Sequence, residues 1–175
     1  PWARRDELLE QVPALKEQVP TYAAYGDSQV EDLFSARKIR EARVKEARLF
    51  ASAYLENQGD STFAVEPLPP RAQFAPVYGI LPYDLTGDGR QEVMLGGNFY
   101  GVRSRQGRYD ASYGTVLRHS RSGHWTALPP HTSRMYLEGE VRALRLLERP
   151  GREAIALVAR NDARPQVVRL RSPGK

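Results

Sequence analysis

The chain has 175 residues, a mass of 19.7 kDa, and 26 lysines and arginines against 21 aspartates and glutamates, a formal charge of +5. Hydrophobic residues at 41% are enough for a buried core and exclude broad disorder, and no apolar run approaches the ~18 residues of a membrane span. With no cysteine, disulfide scaffolds, thiol nucleophiles and cysteine-ligated metal sites are excluded.

The elements follow in chain order. Leu8, Leu9, Val12, Leu15 and Val19 recur at helical spacing behind Asp6, which predicts an N-cap at Asp6. Pro13 divides that stretch into two short helices, 6–11 and 13–18, and Pro20 closes the second. Ser28 with Glu31 reads as a capping box opening a helix through Leu33 and Phe34, and Ser35 as the cap of a further turn reaching Arg43. The apolar stripes read as docking surface onto the rest of the chain. From Glu46 the period falls to two. Leu49, Ala51, Ala53 and Leu55 alternate with Phe50, Ser52, Tyr54 and Glu56, a strand; residues 57–61 are a turn and 62–66 the return strand. Pro67, Pro69 and Pro70 break the sheet. A second group of strands is expected at 77–83, 92–96, 114–119 and 124–128, with a turn at 120–123 and an end at Pro129 and Pro130. A third is expected at 141–147, 153–159 and 166–171, turning at Pro150-Gly151 and Asn161-Asp162. Successive antiparallel hairpins with no helix between strands exclude parallel α/β folds.

Four antiparallel strands recurring every 40–60 residues are the pattern of propeller blades. The Asp84 loop and the 149–152 turn lie about 65 residues apart. The 57–61 and 120–123 turns are similarly spaced. The expected fold is therefore mainly β with an α-helical N-terminal insertion, an incomplete β-propeller of antiparallel four-stranded blades. Residues 1–45 are the helical insertion packing on the propeller, 46–70 the second half of a blade, 71–130 a complete blade, and 131–175 a final partial blade. So few blades close no ring, and Pro1 reads as the cut edge of a larger protein, its exposed sheet edges met by the remaining blades or by self-association.

The run Asp84-Leu85-Thr86-Gly87-Asp88-Gly89-Arg90-Gln91-Glu92 carries the most specific chemistry. Side-chain oxygens at Asp84, Thr86, Asp88 and Glu92 alternate along a tight loop, and the Arg90 carbonyl adds another. Calcium takes six to eight oxygens from such groups. An EF-hand would need a glutamate where Leu95 stands, and helices in place of the flanking strands. The alternative is a metal-free Asp/Gly hairpin turn.

Asp84-x-Thr86-x-Asp88-Gly89-x-x-Glu92-Val93 resembles the D-x-[DN]-x-D-G-x-x-D-[LI] loop of FG-GAP/VCBS repeats, and Leu55-x-Asn57-x-Gly59-Asp60-Ser61-x-Phe63 resembles their companion L-x-N-x-G-D-G-x-F turn. Residues 97–101 and 107–114 are similar to the closing blades of large secreted bacterial VCBS-repeat proteins of the type associated with ASPIC/UnbV modules, as is the helical start at 5–9 and 20–22. The resemblance implies a calcium-binding β-propeller located extracellularly, at the cell surface or in the periplasm. The chain departs from the pattern at Thr86, Glu92 and Ser61, and its 149–152 turn has no acidic loop.

Residues 98–114 gather Asn98, Tyr100, Arg108, Tyr109, Asp110 and Tyr113, polar groups and rings suited to a carbohydrate or protein ligand, or else to wedging between blades. His119, His124 and His131 lack metal-ligand spacing, and no G-x-S-x-G, P-loop or G-x-G-x-x-G is present. Residues 67–175 carry 17 basic and 9 acidic side chains, against 9 and 12 in residues 1–66. The arginines of the basic half spread along strands and turns without clustering on one face, so nucleic acid is a weaker expectation than a solvated surface. The expected function is a non-catalytic binding or scaffold module for adhesion or carbohydrate and protein recognition. The alternatives are polyanion binding through the basic half and a glycan-active enzyme.

Overall fold

The computed structural model describes residues 3–103, 107–120 and 123–170. The chain divides into two compact units, Pro1–Arg48 and Leu49–Lys175.

The first unit holds α1 (Arg5–Gln11), a 3-10 turn (Pro13–Lys16), α2 (Tyr22–Gly26), α3 (Val30–Leu33) and α4 (Ala36–Glu41). Its apolar stripe closes on itself: Leu15, Val19, Tyr25 and Leu33 are buried together, with Leu8, Leu9, Val12 and Phe34 against them. The caps differ from expectation. Arg4 is the N-cap of α1 and its N–H reaches the Glu7 carboxylate at 3.3 Å, while Asp6 sits inside the first turn and accepts from the Tyr22 hydroxyl. Ser28 ends α2 by donating to the Ala24 carbonyl at 2.6 Å, so the α3 cap moves to Gln29, whose N–H donates to Asp32 at 2.8 Å. The helix α2 was not anticipated; Thr21, just after Pro20, caps it by accepting from the Ala24 N–H at 3.1 Å. Ser35 caps α4 as expected. No helix among the described residues is long and apolar enough to cross a membrane.

Among the described residues the second unit holds nine strands: β1 (Ala53–Asn57), β2 (Phe63–Pro67), β3 (Val77–Tyr83), β4 (Glu92–Gly97), β5 (Thr115–His119), β6 (Trp125–Ala127), β7 (Glu140–Leu147), β8 (Ala154–Asn161) and β9 (Gln166–Leu170). They form three antiparallel sheets in the orders β1-β2, β3-β4-β5-β6 and β7-β8-β9, and among the described residues these close no ring. The chain is thus mainly β with a helical N-terminal part. Residues 121, 122 and 171, which belong to the expected 120–123 turn and last strand, lie outside the described residues.

The first strand begins at Ala53, later than expected, because its partner stops at Pro67. Just before the strand the Ser52 carbonyl still accepts from Leu68 N–H at 2.9 Å, and the Gln73 side chain accepts from the Ser52 N–H at 2.8 Å and donates to the Ser52 carbonyl at 2.9 Å. Gln73 is held there by a short 3-10 turn, Pro70–Gln73, that the prolines favour. In the 57–61 turn Ser61 takes a left-handed φ of +67° where the repeat pattern has glycine.

The second and third sheets pack face to face. Leu81, Met94 and Val116 of one meet Val141, Leu144, Ala154, Ala156, Val158 and Leu170 of the other, with Met135 and Leu137 between them. Ala154, Ala156 and Val158 reach one face by simple alternation. Val141 and Leu144 share it because the register slips between Val141 and Ala143, a bulge that inserts one residue. The opposite face of the second sheet carries Leu95 and Leu117, covered by Ala72 and Leu68. Two glycines set the distance between the sheets. A Cβ on Gly79 would stand 2.9 Å from Leu144 Cγ and 3.2 Å from its backbone nitrogen, and one on Gly96 would stand 2.8 Å from Val141 Cγ1. Gly79→Ala and Gly96→Ala are each expected to lower unfolding free energy by about 1–3 kcal/mol, whereas Gly26→Ala, with nothing within 4 Å, does not. Urea unfolding measures this, and a loss below about 0.5 kcal/mol at both sheet positions would contradict the close approach.

Candidate functional site

The 84–92 loop joins β3 to β4, and its oxygens are held by the loop itself. Asp84 accepts from the N–H groups of Gly87 at 2.7 Å and Gly89 at 2.9 Å, and Asp88 accepts from Arg90 N–H at 3.0 Å. The Asp88–Arg90 contact is an Asx turn, the same device that closes 57–61, where Asn57 accepts from Gly59 N–H at 2.9 Å. Glu92 opens β4 and is 1% exposed. Its carboxylate turns back into the loop, accepting from Leu85 N–H at 3.0 Å and the Thr86 hydroxyl at 3.3 Å. Arg118 Nε, from β5, completes the set at 3.0 Å.

Thr86 and Glu92 therefore meet, while the Asp84 and Asp88 carboxylates are engaged by neighbouring N–H groups. Among the described residues no three His, Cys, Asp or Glu side chains gather to hold a metal ion. Tested against calcium, which needs six to eight oxygens, the loop does not fit: its one deeply buried carboxylate already faces a guanidinium. Arg118 was missed in the sequence. It lies directly across from Glu92, one step beyond the Val93↔Leu117 pair, so the strand register exposes it. Beside this pair opens a cavity of about 670 Å³ whose lining includes Asp88, Arg90, Glu92, Arg118 and His119.

The six residues expected to bind a ligand do not form one site. Asn98, 2% exposed with φ +83°, is a brace: its Nδ2 donates to the carbonyls of Ser112 at 2.8 Å and Gly139 at 2.9 Å, and its Oδ1 accepts from Ser112 N–H at 3.1 Å. Tyr109 pairs through its backbone with Phe99, Arg108 lies over the Tyr100 ring at 5.1 Å, and Asp110 is exposed. The Tyr100 N–H donates to buried Glu140 at 2.9 Å, which also accepts from Asn161 at 2.6 Å and from Arg142. The Arg142 guanidinium stacks over Tyr78 at 4.2 Å.

Tyr113 stands apart from these. Its ring stacks on Tyr136 with centroids 4.9 Å apart and planes 8° from parallel, and both rings are about half exposed. They border a groove of about 240 Å³ that Arg71, Phe74, Ser112 and Ser133 also line. Tyr136, Phe74 and Arg71 were not singled out from the sequence, because nothing local to them signals a partner some 20 to 60 residues away in the chain.

No family model, curated protein or solved structure matches the chain.

The Tyr100 N–H first, then Asn161 and the Arg142 charge, hold the Glu140 carboxyl below the usual glutamate range despite its burial. A depressed folded pKa contributes stability above the unfolded value of about 4.3 that is lost as pH falls through the folded one. Melting temperature is thus expected to fall on acidification below about pH 4.3, and Glu140→Gln to flatten part of that fall. An identical pH profile in the variant would contradict the assignment.

Proposed function

We propose that the chain is a non-catalytic recognition and scaffold module of the FG-GAP/VCBS-type β-propeller, working outside the cytoplasm, and that the Tyr113–Tyr136 groove takes a sugar ring. Hairpin-by-hairpin sheets of two, four and three strands support the blade reading, as do the Asx turns that Asn57 makes within 57–61 and Asp88 within 84–92. Among the described residues the first and third sheets have two and three strands, and further strands of a larger propeller would pair at their edges.

The stacked tyrosine pair is the observation that carries the ligand. Two half-exposed rings beside a groove offer an apolar platform for the C–H face of a sugar. Arg71, Ser112 and Ser133 line the same groove with donors and acceptors for hydroxyls. Polyanion binding is less favoured because many arginines of the basic half serve the fold. Arg149 donates to the Glu153 carbonyl, Arg160 to the Arg164 carbonyl, Arg142 to Glu140 and Arg118 to Glu92.

A glycan array is the test, read for the native chain and for Tyr113→Ala and Tyr136→Ala. Binding of at least one glycan class is expected, weakened about tenfold in each variant, the equivalent of about 1.4 kcal/mol. No glycan bound, or full binding by both variants, would overturn the groove assignment. Capture by heparin with a steep salt dependence would instead favour the basic half.

A further inference from the structure

We infer that Arg118 takes, in the 84–92 loop, the place that a bound cation holds in loops of this pattern, so that the loop folds independently of metal. A cation in such a loop does two things: it neutralises carboxylates drawn into a tight turn, and it fixes the turn's conformation. Both are already done here by the protein. The carboxylate that enters the interior is Glu92, 1% exposed, and Arg118 meets its Oε1 at 3.0 Å from the neighbouring strand. Its other oxygen accepts from Leu85 N–H at 3.0 Å, and Thr86 donates to Oε1 at 3.3 Å. The turn is fixed by Asp84, whose two oxygens bind the N–H groups of Gly87 and Gly89.

The two departures that fall in this loop, Thr86 and Glu92, fit the same account. Glutamate at 92 has one more methylene than aspartate, and that length carries its carboxylate back to Leu85 N–H. Threonine at 86 donates a hydroxyl proton to Glu92, which an aspartate there could not do when ionised. An incoming divalent ion would have to displace these donors and stand beside a guanidinium, and like charges at that range repel. Arginine suits the role because it remains charged at any accessible pH and reaches across a strand pair. Arg118 lies outside the Tyr113–Tyr136 groove, so glycan binding and this substitution stand or fall separately.

The test compares thermal unfolding and terbium luminescence of the native chain, Arg118→Met and Arg118→Lys, in chelator and in about 10 mM calcium. The native chain and Arg118→Lys are each expected to melt at temperatures that differ by no more than about 1 °C between the two conditions. Arg118→Met, with its buried carboxylate unpaired, is expected to melt lower in chelator, to rise by about 4 °C or more in calcium, and to bind terbium at least about tenfold more tightly than the native chain. If Arg118→Met does not fold, Arg118→Gln, which keeps a donor for Glu92 without the charge, decides by the same readings. A native chain stabilised by calcium, or a charge-removed variant no more responsive to calcium than the native chain, would overturn the inference.

Discussion

The backbone-to-side-chain contact of β3 and β4 with β7, at positions where no side chain fits, is the constraint on which the second unit depends. Gly79 and Gly96 let the four-stranded sheet lie directly on Leu144 and Val141, and the core of Leu81, Met94, Leu137 and Val158 follows from that distance. Interiors pack at crystal-like density, so such a contact admits no partial version. The bulge that brings Val141 and Leu144 to one face belongs to the same arrangement, since without it Leu144 would point away from Gly79.

Two buried carboxylates then anchor the loops to this frame, each at the first residue of a strand. Glu92 begins β4 and holds the 84–92 loop through Leu85 and Thr86; Glu140 begins β7 and holds the 98–103 stretch through Tyr100. Each has a backbone donor, a side-chain donor and an arginine two residues away or directly across the strand pair. A buried ion pair of this kind adds little net stability compared with apolar packing, but breaking one partner leaves a charge stranded. Their effect is on which loop conformation is reached. The candidate groove depends on this too, because the Asn98 brace that fixes Ser112 bonds the same Gly139–Glu140 corner and sets where Tyr113 emerges.

The strands were legible because alternation, proline and glycine all act locally: 77–83 was read with its observed bounds, and 92–96, 141–147 and 153–159 within two residues at either end. Helix ends were less so, since capping depends on which of several neighbouring polar residues points inward. Ser28, a good cap by type, turned back to close α2 instead. The candidate sites were legible only in part. Asp84, Thr86, Asp88 and Glu92 were recognised as one loop, but a repeat pattern does not say whether its carboxylates face an ion, their own N–H groups or an arginine. Asn98 looked like a ligand residue because a polar side chain between aromatic residues has no local signature of burial; its left-handed backbone and interior role arise from contacts 14 and 41 residues away. The Tyr113–Tyr136 pair needed the link after β6 to return across the sheet, which no local pattern encodes.

Native-state hydrogen exchange tests the central claim most directly, that the second and third sheets form one cooperative body through β3, β4 and β7. Amides of β4, β5, β7 and β8 are expected to share the slowest exchange and to lose protection together on mild denaturation, with the two-stranded β1-β2 sheet opening at lower free energy. Separate opening of β7-β8-β9 from β3-β4-β5-β6 would contradict it.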